Sequence, residues 1–493
     1  MSVDCEINSV AGIHWETAHS RQGLSPHSLA FDHYPLPVKS YGQGKTIALE
    51  GVADADVRGE LPSFLSACLY LSYGVTAMAR SRGRAYPLRP VPSAGGLYPC
   101  HLYPGILSRN DDETGVYYYD PLNHRLVLLR QSPGQKAPDL KQPDISKASL
   151  FFVITAWLYN SAWKYRNRAL RYVMLDAGHL TENLMTVGEA VSPRVSYDFD
   201  DAGIGQMLGL DLNQEVPLAL VSMNWDKSVS ELGQVLCQNT APKCPDTLER
   251  PFETEYMATL VLSERICATG QGSAAAAGNA GVWQAAPDRT MDMPWHPLDD
   301  SGRVMAGGRP DNGDLTGLIT RRRSRRNFIR RPVRPGEQKI LMAWVLERAW
   351  PSGLTLALAC QGWDGLEDGL YSLTPGQGTL DLIMAGNLQP CLARVCLGQS
   401  WVGMAGAVFL CLANLDALDR ARGMRGYRGA MLAAGRIGQR IYMGAEASSM
   451  GCCGIGAMYD REAGELLGLN RSSALLYALA AGPVKKRTDS ALS

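Results

Sequence analysis

The chain resembles itself. Met174-Leu175-Asp176-Ala177-Gly178 aligns with Met431-Leu432-Ala433-Ala434-Gly435 at an offset of 257 residues, and Leu208-Gly209-Leu210 with Leu467-Gly468-Leu469 at 259. Upstream, Gly115-Val116-Tyr117 and Pro121 align with Gly369-Leu370-Tyr371 and Pro375 at 254. Equivalent motifs in the same order, at a slowly drifting offset, are what a duplicated domain leaves behind. The period excludes a solenoid, whose repeats run to about 20–50 residues. The 493 residues, which length alone would divide into two or three domains, are therefore expected to form two related halves.

Both halves predict the same succession of elements. A hairpin (115–129; 369–383) is followed by an apolar strand (149–156; 405–413) and then a long helix. Leu170, Val173, Ala177, Leu180, Leu184 and Val187 recur at steps of three and four, marking a buried face, and Tyr427, Ala430, Ala434, Ile437, Ile441 and Gly444 do so in the second half. The small residues of the second helix would allow close helix–helix approach. An acidic turn, a helix ending in Leu-Gly-Leu and a last strand (218–223; 475–481) complete each half, so the class is α+β. The expected division is 1–230 and 315–493, separated by 231–314. That middle stretch has helical spacing at 251–267 and is rich in Ala, Gly, Pro and Asp at 268–314.

Composition narrows the partners. Lys+Arg and Asp+Glu both total 48, and a balanced charge argues against a general nucleic-acid or anionic-membrane binder. No run of about 18 apolar residues predicts a membrane span. The start of the chain carries Asp4 and Glu6 and lacks the basic-then-apolar pattern of a signal peptide, so a cytoplasmic protein is expected. The 12 cysteines are scattered without a CxxC pair, which predicts neither a disulfide framework nor a structural zinc site.

Several local patterns can carry chemistry. Arg321-Arg322-Arg323-Ser324-Arg325-Arg326 offers guanidinium forks and a hydroxyl suited to a phosphate, although a solvated basic turn or a nucleic-acid patch reads the same way. Gly451-Cys452-Cys453-Gly454-Ile455-Gly456 reads as a turn where backbone could approach a planar ligand or phosphate; it follows a helix, so it is no dinucleotide fingerprint. Pro92-Ser93-Ala94-Gly95-Gly96-Leu97-Tyr98-Pro99 occurs in the first half only and, unaided, reads as a tight loop. Lys164-Tyr165 could supply a base and a proton donor if burial lowers the lysine, or could simply begin an amphipathic helix. Asp176 and His179, three apart on the long helix, could ligate a metal, but with no third ligand a hydrogen-bonded core histidine is the better reading.

Taken in order, these motifs resemble the nitroreductase superfamily of FMN enzymes, and within it the SagB/ThcOx-like azoline oxidases (dehydrogenases). The resemblance also rests on His14-Trp15-Glu16-Thr17, on Tyr34-Pro35-Leu36-Pro37-Val38-Lys39-Ser40-Tyr41, on Tyr119-Asp120-Pro121, and on the tail Gly482-Pro483-Val484-Lys485-Lys486. It covers both halves. It implies a central antiparallel-rich mixed sheet flanked by helices, duplicated in tandem into an intramolecular pseudo-dimer, with further oligomers allowed. It implies FMN held by Arg322, Ser324, Arg326, Gly454, Ile455, Gly456, Lys485 and Lys486 from the second half and by Pro92, Ser93, Ala94 and Gly95 from the first. Lys164 and Tyr165 become the catalytic pair, with no metal. The implied reaction converts thiazoline or oxazoline rings of a ribosomal peptide to thiazole or oxazole, with hydride passing to flavin N5, reoxidation by oxygen and a cyclodehydratase as partner. The alternatives are an NAD(P)H-dependent nitro or quinone reductase acting on a small molecule and a flavin-free scaffold subunit.

The sequence departs from the superfamily pattern in telling ways. Gly96 and Tyr98 stand where general nitroreductases commonly carry Asn and Gln, which weakens nitro reduction. The first half has Ser192-Pro193-Arg194 at the glycine-rich position and no arginine motif, and the second half has no Pro-Ser loop. A single composite FMN site, with the pseudo-symmetric one degenerate, is the expectation.

Overall fold

The computed structural model describes residues 9–24, 27–41, 45–49, 51, 61–81, 84–107, 115–131, 149–225, 281–284, 289–292, 312–348, 353–373 and 379–485. They belong to two compact units, Met1–Pro26 with Gln271–Ser493 (the C-terminal unit) and His27–Gly270 (the N-terminal unit). The stretch at 251–267, most of 268–314 and Lys486 lie outside the described residues.

The N-terminal unit is built on β1 (Thr46–Ala48), a separate hairpin of β2 (Ala77–Ser81) and β3 (Arg84–Leu88), then β4 (Cys100–Ile106), β5 (Gly115–Asp120), β6 (Arg125–Gln131), β7 (Leu150–Trp157), β8 (Arg194–Ser196) and β9 (Glu215–Met223). Seven of these make a sheet in the order β1-β6-β5-β4-β7-β9-β8. The C-terminal unit uses β10 (Arg289–Asp292), β11 (Leu354–Cys360), β12 (Gly369–Leu373), β13 (Thr379–Ala385), β14 (Ala407–Asn414), β15 (Gly451–Ile455) and β16 (Ser473–Gly482), in the order β10-β13-β12-β11-β14-β16-β15. The two orders are the same once β1 is matched to β10 and β4 to β11, so the repeat in the sequence is a repeat of fold. Every ladder among the described strands is antiparallel, including the central pairs β4–β7, β7–β9, β11–β14 and β14–β16.

The central strands are mostly apolar because both of their faces are covered. All eight residues of β7 are buried, as are all nine of β9 and all ten of β16. One face of the first sheet packs Tyr103, Val153 and Leu220 against Phe199, Ile204, Met207 and Leu208 around the helix Asp201–Leu208. Its counterpart packs Val408, Leu410 and Ala480 against Leu392, Ala463 and Leu467 of the helices Gln389–Val395 and Asp460–Leu466 and their flanks.

The long helices were expected to bury one face. In the N-terminal unit every residue of Ala169–Val187 is buried, polar ones included. Thr181 returns its hydroxyl to the Ala177 carbonyl at 2.8 Å, and the Asn183 amide donates to the Leu71 carbonyl at 3.2 Å. Such bonds are what make buried polar groups tolerable. The equivalent helix Met424–Ala447 does use small residues for close approach: a Cβ on Gly444 would come within 2.8 Å of the Leu341 carbonyl oxygen on the helix Pro335–Leu346.

The first residues of the chain depart from the expected division. The helix Val10–Glu16, capped by Ser9, belongs to the C-terminal unit. Its His14 is fully buried, with Nδ1 3.2 Å from the Tyr427 hydroxyl. His19 donates its amide to Asp460 at 2.8 Å, and Arg21 forks onto Glu462. The hydrophobic periodicity of a seven-residue helix cannot say which half it packs on; these long-range polar bonds do.

Candidate functional site

Two side-chain clusters hold the residues singled out above, one in each unit. In the C-terminal unit the arginine segment follows the helix Asn312–Arg321, and three distant stretches are joined there by backbone hydrogen bonds. Ser324 bridges Cys452 of β15, and the Arg325 amide donates to the Cys452 carbonyl at 2.8 Å. Phe328 bridges Val484, the Ile329 amide donates to the Pro483 carbonyl at 2.9 Å, and the Lys485 amide donates to the Asn327 carbonyl at 3.2 Å. The arginine run, the glycine-rich run and the chain's basic tail thus meet in one place.

The glycine-rich run is not the turn its composition suggests. Gly451–Ile455 is a strand at the sheet edge, paired residue by residue with β16 from Gly451↔Gly482 to Ile455↔Ala478. Its glycines answer to packing: a Cβ on Gly454 would overlap the Tyr477 hydroxyl, and one on Gly451 would overlap Val484. The Ile455 side chain lies in the hydrophobic core, so only its backbone faces the cluster. Gly456 follows the strand, partly buried. In the N-terminal unit, β8 takes the same topological position, with Arg194–Ser196 in place of glycines.

The arginines divide their work. Arg323 caps the preceding helix by donating to the carbonyls of Thr320 at 2.9 Å and Arg322 at 2.6 Å, and Arg321 lies 4.0 Å from Glu446 at the surface. Arg322 is buried, its guanidinium carbon 5.1 Å from the centre of the Tyr442 ring. Ser324 and Arg326 are exposed, and Arg326 stands 5.6 Å from the Trp401 ring centre. Tyr442 ties the cluster together: its hydroxyl accepts from the Gly454 amide at 2.8 Å and pairs with the Ser324 hydroxyl at 2.9 Å. Burial, with the neighbouring Cys453 and Cys452 thiols, holds the Tyr442 phenol well above its ordinary value, so it stays neutral. Neither Tyr442 nor Trp401 announced itself in the sequence.

In the N-terminal unit, residues 92–99 lead into β4, and Lys164 and Tyr165 end the short helix Leu158–Tyr165. The two motifs are in contact. Gly95, at φ 65°, lies where an added Cβ would come within 2.6 Å of the Tyr165 hydroxyl and 3.2 Å of the Lys164 ammonium. A left-handed backbone and the absence of a side chain are both needed at that point, which glycine alone supplies without strain. Burial lowers the Lys164 ammonium from its usual range. Pro92, Ser93 and Ala94 are partly buried, and Gly95 is exposed.

Asp176 holds the loop from below. Its carboxylate accepts the Ser93 hydroxyl at 2.6 Å and the Ala94 amide at 3.3 Å, while Ser93 Oγ accepts the Tyr98 amide at 2.9 Å. An anchor in this role explains the residue without a metal, and among the described residues no group of three metal-ligating side chains occurs. Burial pushes Asp176 up to about 7 despite the Ser93 and Ala94 bonds. A raised carboxyl keeps its proton in the fold and releases it on unfolding. Its stabilising contribution is therefore present near pH 4 and lost as the pH rises through about 7, a span of roughly three units worth on the order of 4 kcal/mol. Asp176→Asn should remove that dependence, so unfolding free energies of the two proteins from pH 4 to 8 should differ in slope; parallel curves would contradict it.

The nitroreductase family profile matches residues 374–483. A protein of Methanocaldococcus jannaschii described as a candidate nitroreductase, MJ1384, is 32% identical over 162 residues, covering 32% of this chain and 77% of that protein. The chain belongs to the nitroreductase family. The microcin B17-processing protein McbC of Escherichia coli is 27% identical over 146 residues, 26% of this chain and 52% of McbC. A crystal structure of a candidate nitroreductase from Anabaena variabilis superposes with a TM-score of 0.78 at 25% identity, covering 97% of this chain and 100% of that one. The likeness to this nitroreductase-family structure therefore spans both units. Among the described residues no helix is long and apolar enough to cross a membrane.

Proposed function

We propose that the protein is an FMN-dependent azoline dehydrogenase. The observation that carries the reading is the contact of Gly95 with Tyr165 and Lys164, a loop glycine against a phenol and an amine. The similarity to McbC, a protein named for processing microcin B17, supports a peptide as substrate. A cyclodehydratase that makes the azoline ring is the partner this chemistry requires.

The donor set suits FMN. Arg322, Ser324, Arg326 and Lys485 offer three cations and a hydroxyl to a phosphate. Backbone at Gly454 and Gly456, and the small residues of the loop Pro92 to Gly95, would be offered to a flat ring. Bound there, FMN supplies the hydride acceptor. The chain does the rest. Tyr165 or Lys164 takes the ring proton, and the burial that lowers Lys164 keeps a share of it neutral and able to accept. Gly95 lets the loop approach the pair closely, and Asp176 fixes the loop that carries it.

Purified protein should be yellow. Given a thiazoline-bearing peptide in air, it should remove two hydrogens per ring, read by mass spectrometry, with oxygen consumed in step. The family's nitroreductase relatives favour a second reading, reduction of nitro compounds or quinones by NAD(P)H. Rapid bleaching of the flavin by NAD(P)H, with no azoline turnover, would decide for it, and a colourless protein would leave a scaffold subunit.

A further inference from the structure

Residues 30–37 are strapped by their carbonyls across the helix Leu158–Tyr165, which ends in Lys164 and Tyr165. The Trp163 indole donates to the Ala30 carbonyl at 3.0 Å, the Tyr159 hydroxyl to His33 at 3.2 Å and the Asn160 amide to Leu36 at 2.9 Å. The buried Arg89 guanidinium adds a bond to the Pro37 carbonyl at 2.8 Å. Asn160 and Lys164, four apart, are neighbours on the helix surface, so the strap reaches the face that carries the lysine.

The fastened strap leaves apolar side chains in solvent. Among the described residues five large apolar side chains are exposed; Phe31, at 57%, and Leu36, at 51%, are two of them, and Phe31 is the aromatic one. Phe31 does not stand alone. Its ring meets Trp163 edge-to-face at 5.7 Å, and the Tyr34 ring meets Trp163 in the same way at 5.2 Å. Trp163 and Tyr34 are themselves only partly buried. Single apolar residues scattered over a surface need no explanation, but three clustered rings on a pinned backbone point to something that covers them.

The duplication supplies the comparison that ties this cluster to the site. Leu158–Tyr165 matches the helix Leu415–Arg422 at the repeat's offset of 257 residues at both ends. In that copy Tyr159 and Asn160 give way to Asp416 and Ala417, Trp163 to Arg420, and Lys164 and Tyr165 to Ala421 and Arg422. The helix forms without any of these side chains. The strap's donors, the indole and the reacting pair are present together in one copy and replaced together in the other.

We propose that Phe31 and Trp163 form a platform for a flat ring of the peptide substrate: a finished thiazole or oxazole beside the azoline being oxidised. The inference rests on the reading of Lys164 and Tyr165 as the reacting pair. An azoline keeps tetrahedral carbons and is puckered, whereas the azole it becomes is flat and aromatic. Aromatic side chains pair with flat rings beyond what burial of area alone gives, so the platform favours the product ring over its precursor. Trp163 immediately precedes Lys164 in the chain. A finished ring held there brings its neighbour in the peptide towards the pair, which gives oxidation along the peptide a preferred order.

The probe is a short labelled peptide with two adjacent thiazoles, compared by fluorescence anisotropy with the same peptide lacking the rings. Wild type should bind the ringed peptide more tightly. Phe31→Ser and Phe31→Leu should each weaken that binding roughly 2–12-fold, the worth of one aromatic pair, while Phe31→Tyr keeps the ring and should restore it. Phe31 is exposed, so all three variants should melt near the wild type. In turnover, Phe31→Leu should raise KM more for an azoline next to a thiazole than for a lone azoline. Binding by Phe31→Leu as tight as wild type would overturn the platform, as would equal affinity of wild type for the two peptides. Loss of a cyclodehydratase from the Phe31→Ser protein, with peptide binding unchanged, would overturn it by giving the surface to a protein partner. Ring-selective binding lost in Phe31→Ser, in a protein that oxidises no azoline, would sink the dehydrogenase reading and leave the platform. Azoline turnover and ring binding both indifferent to Phe31 would do the reverse.

Discussion

Lys164→Ala combined with Tyr165→Phe is expected to leave the protein folded and yellow and to lower azoline turnover by about 10²–10⁴, the usual contribution of a positioned acid or base. The two side chains end a helix whose backbone bonds they do not supply, so the double variant should melt near the wild type. The pH–rate curve separates their roles. Burial lowers Lys164, so a lysine base gives a rate that rises with pH through a value below that of an exposed lysine, and Lys164→Ala alone would erase that limb. Turnover retained in the double variant would reject the pair.

The second large effect concerns flavin binding. Arg322→Ala removes a buried cation from the C-terminal unit, and loss of its charge-assisted bonds to a phosphate should weaken flavin by about 1.5–3 kcal/mol, roughly 10–100-fold, or more if the other donors depend on it. Ser93→Trp breaks the hydroxyl bond to Asp176 and displaces the loop that it anchors, in the N-terminal unit. Each variant alone should elute colourless from gel filtration with native circular dichroism. Flavin retained in full by either variant would reject that residue as part of the flavin site.

Much of this was legible in the sequence, for reasons that differ from element to element. The hairpin, the apolar strand and the long helix of each half were readable because local periodicity sets them: expected strands at 149–156 and 405–413 appear as Leu150–Trp157 and Ala407–Asn414. The edge strand Gly451–Ile455 was not. Its glycines and cysteines carry no alternation, and what makes it a strand is pairing with residues 478–482, which no local window contains. The same holds for Val10–Glu16, which folds onto Tyr427 and Asp460 more than 400 residues away.

The site divides along the same line. Pro92 to Gly95, Lys164 with Tyr165, and the arginine segment stood out as motifs, and the structure shows which of them touch. Asp176 stood out in the sequence only by its spacing to His179, where a metal was the weaker reading, and its link to the loop was not visible there: its oxygens are engaged by Ser93 and Ala94. Tyr442 and Trp401 were silent because an aromatic in a helix or at a helical turn reads as core. Their meaning lies in the distances to Arg322, Ser324 and Arg326.

The central claim is that duplication produced two similar units and one working site. The arginine segment occurs only in the second and the Pro-Ser loop only in the first. Flavin released from denatured, fully loaded protein and counted against chain concentration tests this directly. One FMN per chain is predicted; two would contradict it.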